Sequence, residues 1–202
     1  MTRSDTLLDG AITGLILAGG RGTRMGSVDK GLQSFRGMPM ALQVLQRLRP
    51  QVDALLINAN QNLAAYEAFG VPVAPDAIDG FAGPLAGLQA GLMHCATPYL
   101  VTAPCDSPLL PTDLVARLAA GLHAAQADVA LAVTGAGASL QPHPVFCLVR
   151  TSLLPGLSAY LQGGGRKVDA WFATLAMTRV HFEDENAFRN INTLDELRQF
   201  DL

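Results

Sequence analysis

Apolar residues along the chain come in short runs that alternate between two periods, with glycine or proline at the joins. Ile12 to Leu17 is an apolar run that ends in Gly19-Gly20, the form of a buried parallel strand entering a turn. Ala41, Leu42, Leu45 and Leu48 then recur at helical spacing between Pro39, which suits a first helical position, and Pro50, which stops the run. The alternation continues: residues 54–57 predict a second strand, 63–69 a helix and 71–74 a third strand. Pro84 opens a helix through Leu85, Leu88 and Leu92, and residues 99–103 form a strand closed by Pro104-Cys105-Asp106. Thr112 is placed to cap a helix over residues 114–125, and strands are expected at 129–133 and 145–149. A helix at 168–175, a strand at 178–182 and a last helix with a Thr193/Glu196 capping box complete the reading.

Strands alternating with helices at this spacing predict an α/β fold. The expected form is Rossmann-like, a three-layer α/β/α arrangement around a mostly parallel sheet, with ligands bound outside the carboxyl ends of the strands. The loops that begin at Ala18, Asn58 and Asp106 should therefore converge. No internal repeat or linker interrupts the 202 residues, so a single domain is expected. Residues 80–105 carry no charged side chain, yet Gly83, Pro84, Pro98 and Pro104 with Gln89 and His94 would break a membrane-spanning helix. A buried helix followed by a central strand is the expected form, and no membrane association.

Composition narrows the chemistry. Half of the residues are hydrophobic and 15% are charged, which excludes a disordered chain. A net charge of −3 gives the whole surface no attraction for polyanions, so nucleic acid is not an expected partner and any phosphate site must be local. Cys95, Cys105 and Cys147 share no CxxC spacing, which argues against a disulfide framework and a structural zinc site and points to a reducing cytoplasm. Asp5 and Asp9 interrupt the apolar residues of the N-terminus, leaving no signal-peptide core.

The candidate phosphate site is Leu17-Ala18-Gly19-Gly20-Arg21-Gly22-Thr23-Arg24-Met25-Gly26, followed by Asp29-Lys30. Glycines after a strand let backbone N–H groups approach an anion, and Arg21, Arg24 and Lys30 add charge-assisted contacts. The glycines alone are equally consistent with a tight turn. The segment is neither a Walker A loop nor a dinucleotide fingerprint, because no Gly-Lys-Ser/Thr ends it and Met25 stands where the third glycine would be needed. Asp106, fixed between Pro104 and Pro108, is a candidate ligand for Mg²⁺, which takes hard oxygen donors and few of them from protein. Cys105 beside it reads as a packed small residue.

LAGGRGTRMGSVDKGL resembles the signature of molybdenum cofactor guanylyltransferases, within the wider sugar-nucleotidyltransferase-like superfamily, departing from it in the extra Gly22 and in Ser27. The resemblance extends from about residue 12 to residue 200 and takes in Asn58-Ala59-Asn60, Gly83-Pro84-Leu85-Ala86-Gly87, Pro104-Cys105-Asp106 and Asn190-Ile191-Asn192-Thr193. It implies transfer of GMP from GTP to the terminal phosphate of molybdopterin with Mg²⁺. It further implies backbone contacts to the nucleotide from Leu17, Ala18, Gly19 and Gly20, catalytic roles for Arg24, Lys30 and Asp106, and guanosine contacts from Asn58 and Asp76. Arg166, Lys167, Asn190 and Asn192 are the implied molybdopterin contacts. Residues 1–11 would then be a tail, 12–110 a nucleotide-binding half and 111–202 an acceptor-binding half. Molybdoenzymes or other proteins of cofactor synthesis are the implied transient partners. Alternatives are a CTP-dependent relative, a sugar-phosphate acceptor, or a GTP-binding cofactor chaperone without turnover.

Overall fold

A computed structural model describes residues 10–20, 29–78 and 83–191 of the chain. Strand β1 (Ile12–Leu17) lies near the middle of a seven-stranded sheet. The others are β4 (Ala54–Asn58), β5 (Val73–Ala74), β6 (Tyr99–Pro104), β7 (Val129–Thr134), β8 (Gln141–Arg150) and β9 (Met177–His181). Their spatial order is β5-β4-β1-β6-β8-β7-β9. All neighbouring pairs run parallel except those of β8, which is antiparallel to both β6 and β7. Between β1 and β4, strands β2 (Ser34–Phe35) and β3 (Met38–Pro39) form a small separate hairpin.

Alternation along the strands divides the core into two layers. Ile12, Ile16, Tyr99, Val101 and Ala103 face one side, where they meet α1 (Met40–Leu48) and α4 (Leu114–Ala124). Leu15 and Leu100 face the other, against α3 (Pro84–His94), α5 (Leu154–Gln162) and α6 (Val168–Phe172). Because both faces are covered, β6 and β7 are buried at every position, which is why they read as continuous apolar runs. Helix α3 is buried from Leu85 to Leu92 because it lies between the sheet and α5. It rests so close to the sheet that a Cβ on Gly91 would collide with Leu15. Among the described residues no helix is long and apolar enough to cross a membrane.

Several expectations require correction. Pro39 is not the first helical residue of α1; it ends β3 and occupies the N-cap position. Thr112 does not cap α4, whose N-cap position is held by Asp113 without a side-chain bond to the helix. The helix expected at 63–69 is the shorter α2 (Leu63–Glu67), and that expected at 168–175 ends at Phe172. Helix α5 was not anticipated, because Pro155 and Gly156 lie in its first turn, where proline is compatible with the missing backbone bonds. Strand β8 begins at Gln141, through Pro142 and Pro144, and its pairing with β7 shifts register at Leu131/Ala132. The helix expected after Thr193 lies outside the described residues.

Candidate active site

Register alone brings the chemistry together. Leu17 pairs with Asn58 on one side and Pro104 on the other, and Asn58 pairs with Ala74. The loops after β1, β4, β5 and β6 therefore leave the sheet side by side at the carboxyl edge, as expected for an open α/β sheet. Backbone bonds extend this alignment one step, Ala18 N–H donating to Asn58 (2.8 Å) and Cys105 N–H to Leu17 (3.1 Å). The donor of Ala18 and the acceptor of Leu17 are thus spent on the scaffold. Among the described residues, the next backbone donors along this loop are those of Gly19 and Gly20.

On the β4 side the polar groups interlock. Asn58 is buried at 2% exposure, and its Nδ2 donates to the Ala74 carbonyl (3.1 Å) and Asp76 Oδ1 (2.8 Å). Asn60 Nδ2 donates to Asp76 Oδ2 (2.8 Å) and to the Gly19 carbonyl (3.1 Å), while Asn60 Oδ1 accepts from the Asp76 N–H (2.8 Å). The two amides aim the Asp76 carboxylate, which stays partly exposed with lone pairs to spare. Two glycines have steric roles here. A Cβ on Gly19 would lie 2.8 Å from both Asn58 Oδ1 and Asn60 Nδ2, and one on Gly87 would collide with Asn58 Oδ1. Gly83 has φ +80° at the start of α3, a conformation that disfavours any side chain. Gly83 thus serves the backbone path into α3, and Gly87 the packing on Asn58.

Beyond β6, Asp106 is 8% exposed and pairs with Lys30 at 3.3 Å. Burial raises its pKa above the ordinary carboxylate value even though Lys30 opposes the shift. Cys105 is buried and its thiol is pushed well up by that burial, with the Asp106 charge adding to the shift, so it stays a neutral packing group. Among the described residues no three His, Cys, Asp or Glu side chains gather as a metal-holding cluster. A buried carboxylate whose pairing with Lys30 does not restore its ordinary acidity is nonetheless a fit for a hard divalent cation that takes its remaining ligands from phosphate and water.

The same loop anchors the chain's C-terminal part. Ser107, with no exposure, donates from Oγ to Asn190 Oδ1 (2.7 Å), and Ile191 N–H donates to the Asp106 carbonyl (2.8 Å). Asn190 thereby reaches the rim of a cavity of about 430 Å³ lined by Pro104, Gln141, His143, Phe146, Glu185 and Phe188, among others. Its wall is aromatic: His143 stacks on Phe188 with centroids 4.7 Å apart, and Nε2 lies 2.8 Å from Thr134 Oγ1. Burial lowers the His143 pKa, against the opposing Glu185 charge, so the ring is neutral near pH 7.

The structure thus brings together Leu17, Ala18, Gly19, Gly20, Lys30, Asn58, Asp76, Asp106 and Asn190 at one edge. Arg166 and Lys167 are not among the residues lining the cavity. Arg166 instead donates to the carbonyls of Leu161 (2.8 Å) and Gly165 (2.6 Å), closing the end of α5, and the Lys167 carbonyl accepts from Tyr160 (3.1 Å). Arg24 and Asn192 lie outside the described residues. The supporting roles of Asn60 and Ser107 were not anticipated, although Asn60 had a visible signal in the Asn58-Ala59-Asn60 triplet.

Comparison with known proteins identifies the family. Residues 14–178 match the MobA-like NTP transferase domain family. The chain is 62% identical over 188 residues to a molybdenum cofactor guanylyltransferase of Cupriavidus necator, covering 93% of this chain and 94% of the relative. A Ralstonia nicotianae protein of the same name is 61% identical over 193 residues, covering 93% and 95%. The crystal structure of molybdopterin-guanine dinucleotide biosynthesis protein A from Archaeoglobus fulgidus superposes with a TM-score of 0.74 at 21% identity, covering 94% of this chain and 96% of that one. The chain belongs to the molybdenum cofactor guanylyltransferase family of MobA-like nucleotidyltransferases.

Proposed function

We propose that this protein transfers GMP from GTP to the terminal phosphate of molybdopterin, releasing pyrophosphate and forming the molybdopterin guanine dinucleotide cofactor. The observation that carries the reading is the Lys30–Asp106 pair, set at the sheet edge between the Asp76 network and the aromatic cavity. GTP is assigned to the β1–β4–β5 side and the acceptor to the cavity. This divides the single domain into a nucleotide-binding half, residues 12–110, and an acceptor-binding half, residues 111–202.

The reaction is attack of the acceptor phosphate oxygen on the α-phosphorus of GTP. A bond forms from that oxygen to phosphorus, and the bond to the β-phosphate oxygen breaks, with pyrophosphate leaving. The nucleophile is already anionic, so no general base is needed and the protein's tasks are positioning and charge neutralisation. Asp76 reads the guanine N1 and N2 donors from its fixed carboxylate, with Asn58 and Asn60 setting its orientation. Gly19 and Gly20 present N–H groups to the phosphates, and Lys30 and Arg24 place positive charge on them. Asp106 would hold Mg²⁺, which when bound would supply Lewis-acid stabilisation of phosphate charge. Asn190 is assigned to molybdopterin from its place on the cavity rim, and Asn192, Arg166 and Lys167 by family resemblance alone. The protein is placed in the cytoplasm, where molybdoenzymes or other cofactor-synthesis proteins take up its product.

The test offers the purified protein molybdopterin, Mg²⁺ and either α-labelled GTP or α-labelled CTP. Label from GTP should reach the pterin. Label from CTP alone would replace guanine by cytosine specificity, and nucleotide binding without transfer of either label would make the protein a carrier.

A further inference from the structure

Asp29, the residue before Lys30, contacts a different part of the fold from its neighbour. Its Oδ1 accepts from the hydroxyl of Tyr66 at 2.6 Å, and its Oδ2 accepts from Asn62 Nδ2 at 3.0 Å. Both carboxylate oxygens are thus committed to the segment that follows β4. Tyr66 has no exposure, and its ring packs edge-on against Phe69 at 5.8 Å, so the hydroxyl is delivered from a fixed base. Asn62 sits in the left-handed region at φ +52°, an unusual conformation for a residue other than glycine and one that asparagine tolerates best. The Tyr66 hydroxyl comes so near the chain beyond Lys30 that a Cβ on Gly31 would collide with it. Burial and the Asp29 charge raise the phenol pKa, so it remains a hydrogen-bond donor at any working pH.

The same segment grips the other end of the glycine-rich stretch, since Asn60 Nδ2 holds the Gly19 carbonyl at 3.1 Å. Gly19 and Asp29 are therefore both tied to residues 60–66, and the separation between the first glycines and Lys30 is set by one short piece of chain. We infer that Tyr66 and Asn62 are positioning residues which, through Asp29, fix the backbone from which Lys30 reaches Asp106. This rests on the catalytic role proposed for Lys30. Reach is the reason positioning matters: a lysine ammonium is a point charge on a flexible stem, so where its backbone starts decides how much of its population faces the phosphates.

The test is a double-mutant cycle on the full chain with GTP, Mg²⁺ and molybdopterin, read as pyrophosphate release. Tyr66→Phe keeps the packing and removes the donor. It should lower kcat about fivefold to tenfold while leaving KM for GTP within about twofold. In a Lys30→Ala background the same change should have no further effect, because the residue it acts through is gone. Asn62→Gly keeps the left-handed backbone, removes the second donor and should show the same non-additivity, so the question stays decidable if Tyr66→Phe folds poorly. Equal kcat losses with and without Lys30 for both variants would assign these contacts to general stability and overturn the inference. So would unchanged kcat in both variants while Lys30→Ala is inactive, an outcome that leaves the proposed function standing. Near-normal turnover by Lys30→Ala itself would remove the proposed role of Lys30 and this inference with it.

Discussion

The two sides of the sheet edge are built in opposite ways. Around Asn58, donors and acceptors are spent on one another: both Asn58 amide hydrogens, both ends of the Asn60 amide and both Asp76 oxygens are engaged. Around Asn190 an open cavity is walled by stacked and edge-on rings, with polar groups on its rim. A closed network fixes its geometry before a ligand arrives, so little ordering is left for the ligand to impose. An open aromatic wall instead offers area to a flat heterocycle and leaves orientation to rim groups. The difference suits a small, invariant nucleoside on one side and a bulkier acceptor on the other.

The sharpest attack on this contrast is at the point between the two sides. Lys30→Ala and Asp106→Ala should each reduce turnover by about a hundredfold or more, measured as steady-state pyrophosphate release. A loss confined to KM would place these residues in uniform substrate binding instead.

The contrast itself predicts unequal costs for two asparagines. Asn58→Ala empties a buried position, takes the donor from Asp76 Oδ1 and leaves the Ala74 carbonyl with the Ala59 N–H, and should lose about 2 kcal/mol of stability in urea unfolding. Asn190→Asp, at the rim, keeps an acceptor for the buried Ser107 hydroxyl and should lose about 1 kcal/mol or less while raising KM for molybdopterin. Equal destabilisation would erase the distinction.

Gly87→Ala probes the closed side sterically. The new Cβ collides with Asn58 Oδ1 and Leu17, and the variant should be destabilised by about 1–3 kcal/mol, with weaker GTP binding as Asn58 shifts.

The smallest effect concerns the charge on Asp106. Its folded-state pKa is raised, so the fold favours the neutral acid. That contribution is fully present below the ordinary carboxylate pKa and is lost as pH rises through the raised value. Asp106→Asn should therefore raise the thermal midpoint by about 2–4 °C at pH 8, with the gain vanishing near about pH 4 while activity is lost throughout. A lower midpoint at pH 8 would mean that the Lys30 pair outweighs the burial cost.

Much of the first half was legible in the chain itself. β1, β4, α3 and β6 are long or strongly periodic, and their ends coincide with Gly19, Asn58, Pro84 and Asp106, residues whose local chemistry marks a turn, a cap or a ligand. The second half was less so. Pro142 and Pro144 disguise β8, and a strand carries no local sign of running antiparallel to its neighbours, since direction is set by which edges meet. Helix α5 hid behind the proline and glycine of its first turn.

The order of strands and helices, and the cationic and acidic side chains available at their ends, follow from period and residue type. Those are local properties, set by backbone sterics and by which faces must leave water. Partnership was decided only in three dimensions. Asn190 meets Ser107, Asp29 meets Tyr66, and Arg166 turns back onto α5. A hydrogen bond depends on distance and direction between atoms far apart in the chain, and those are settled when the two core layers pack.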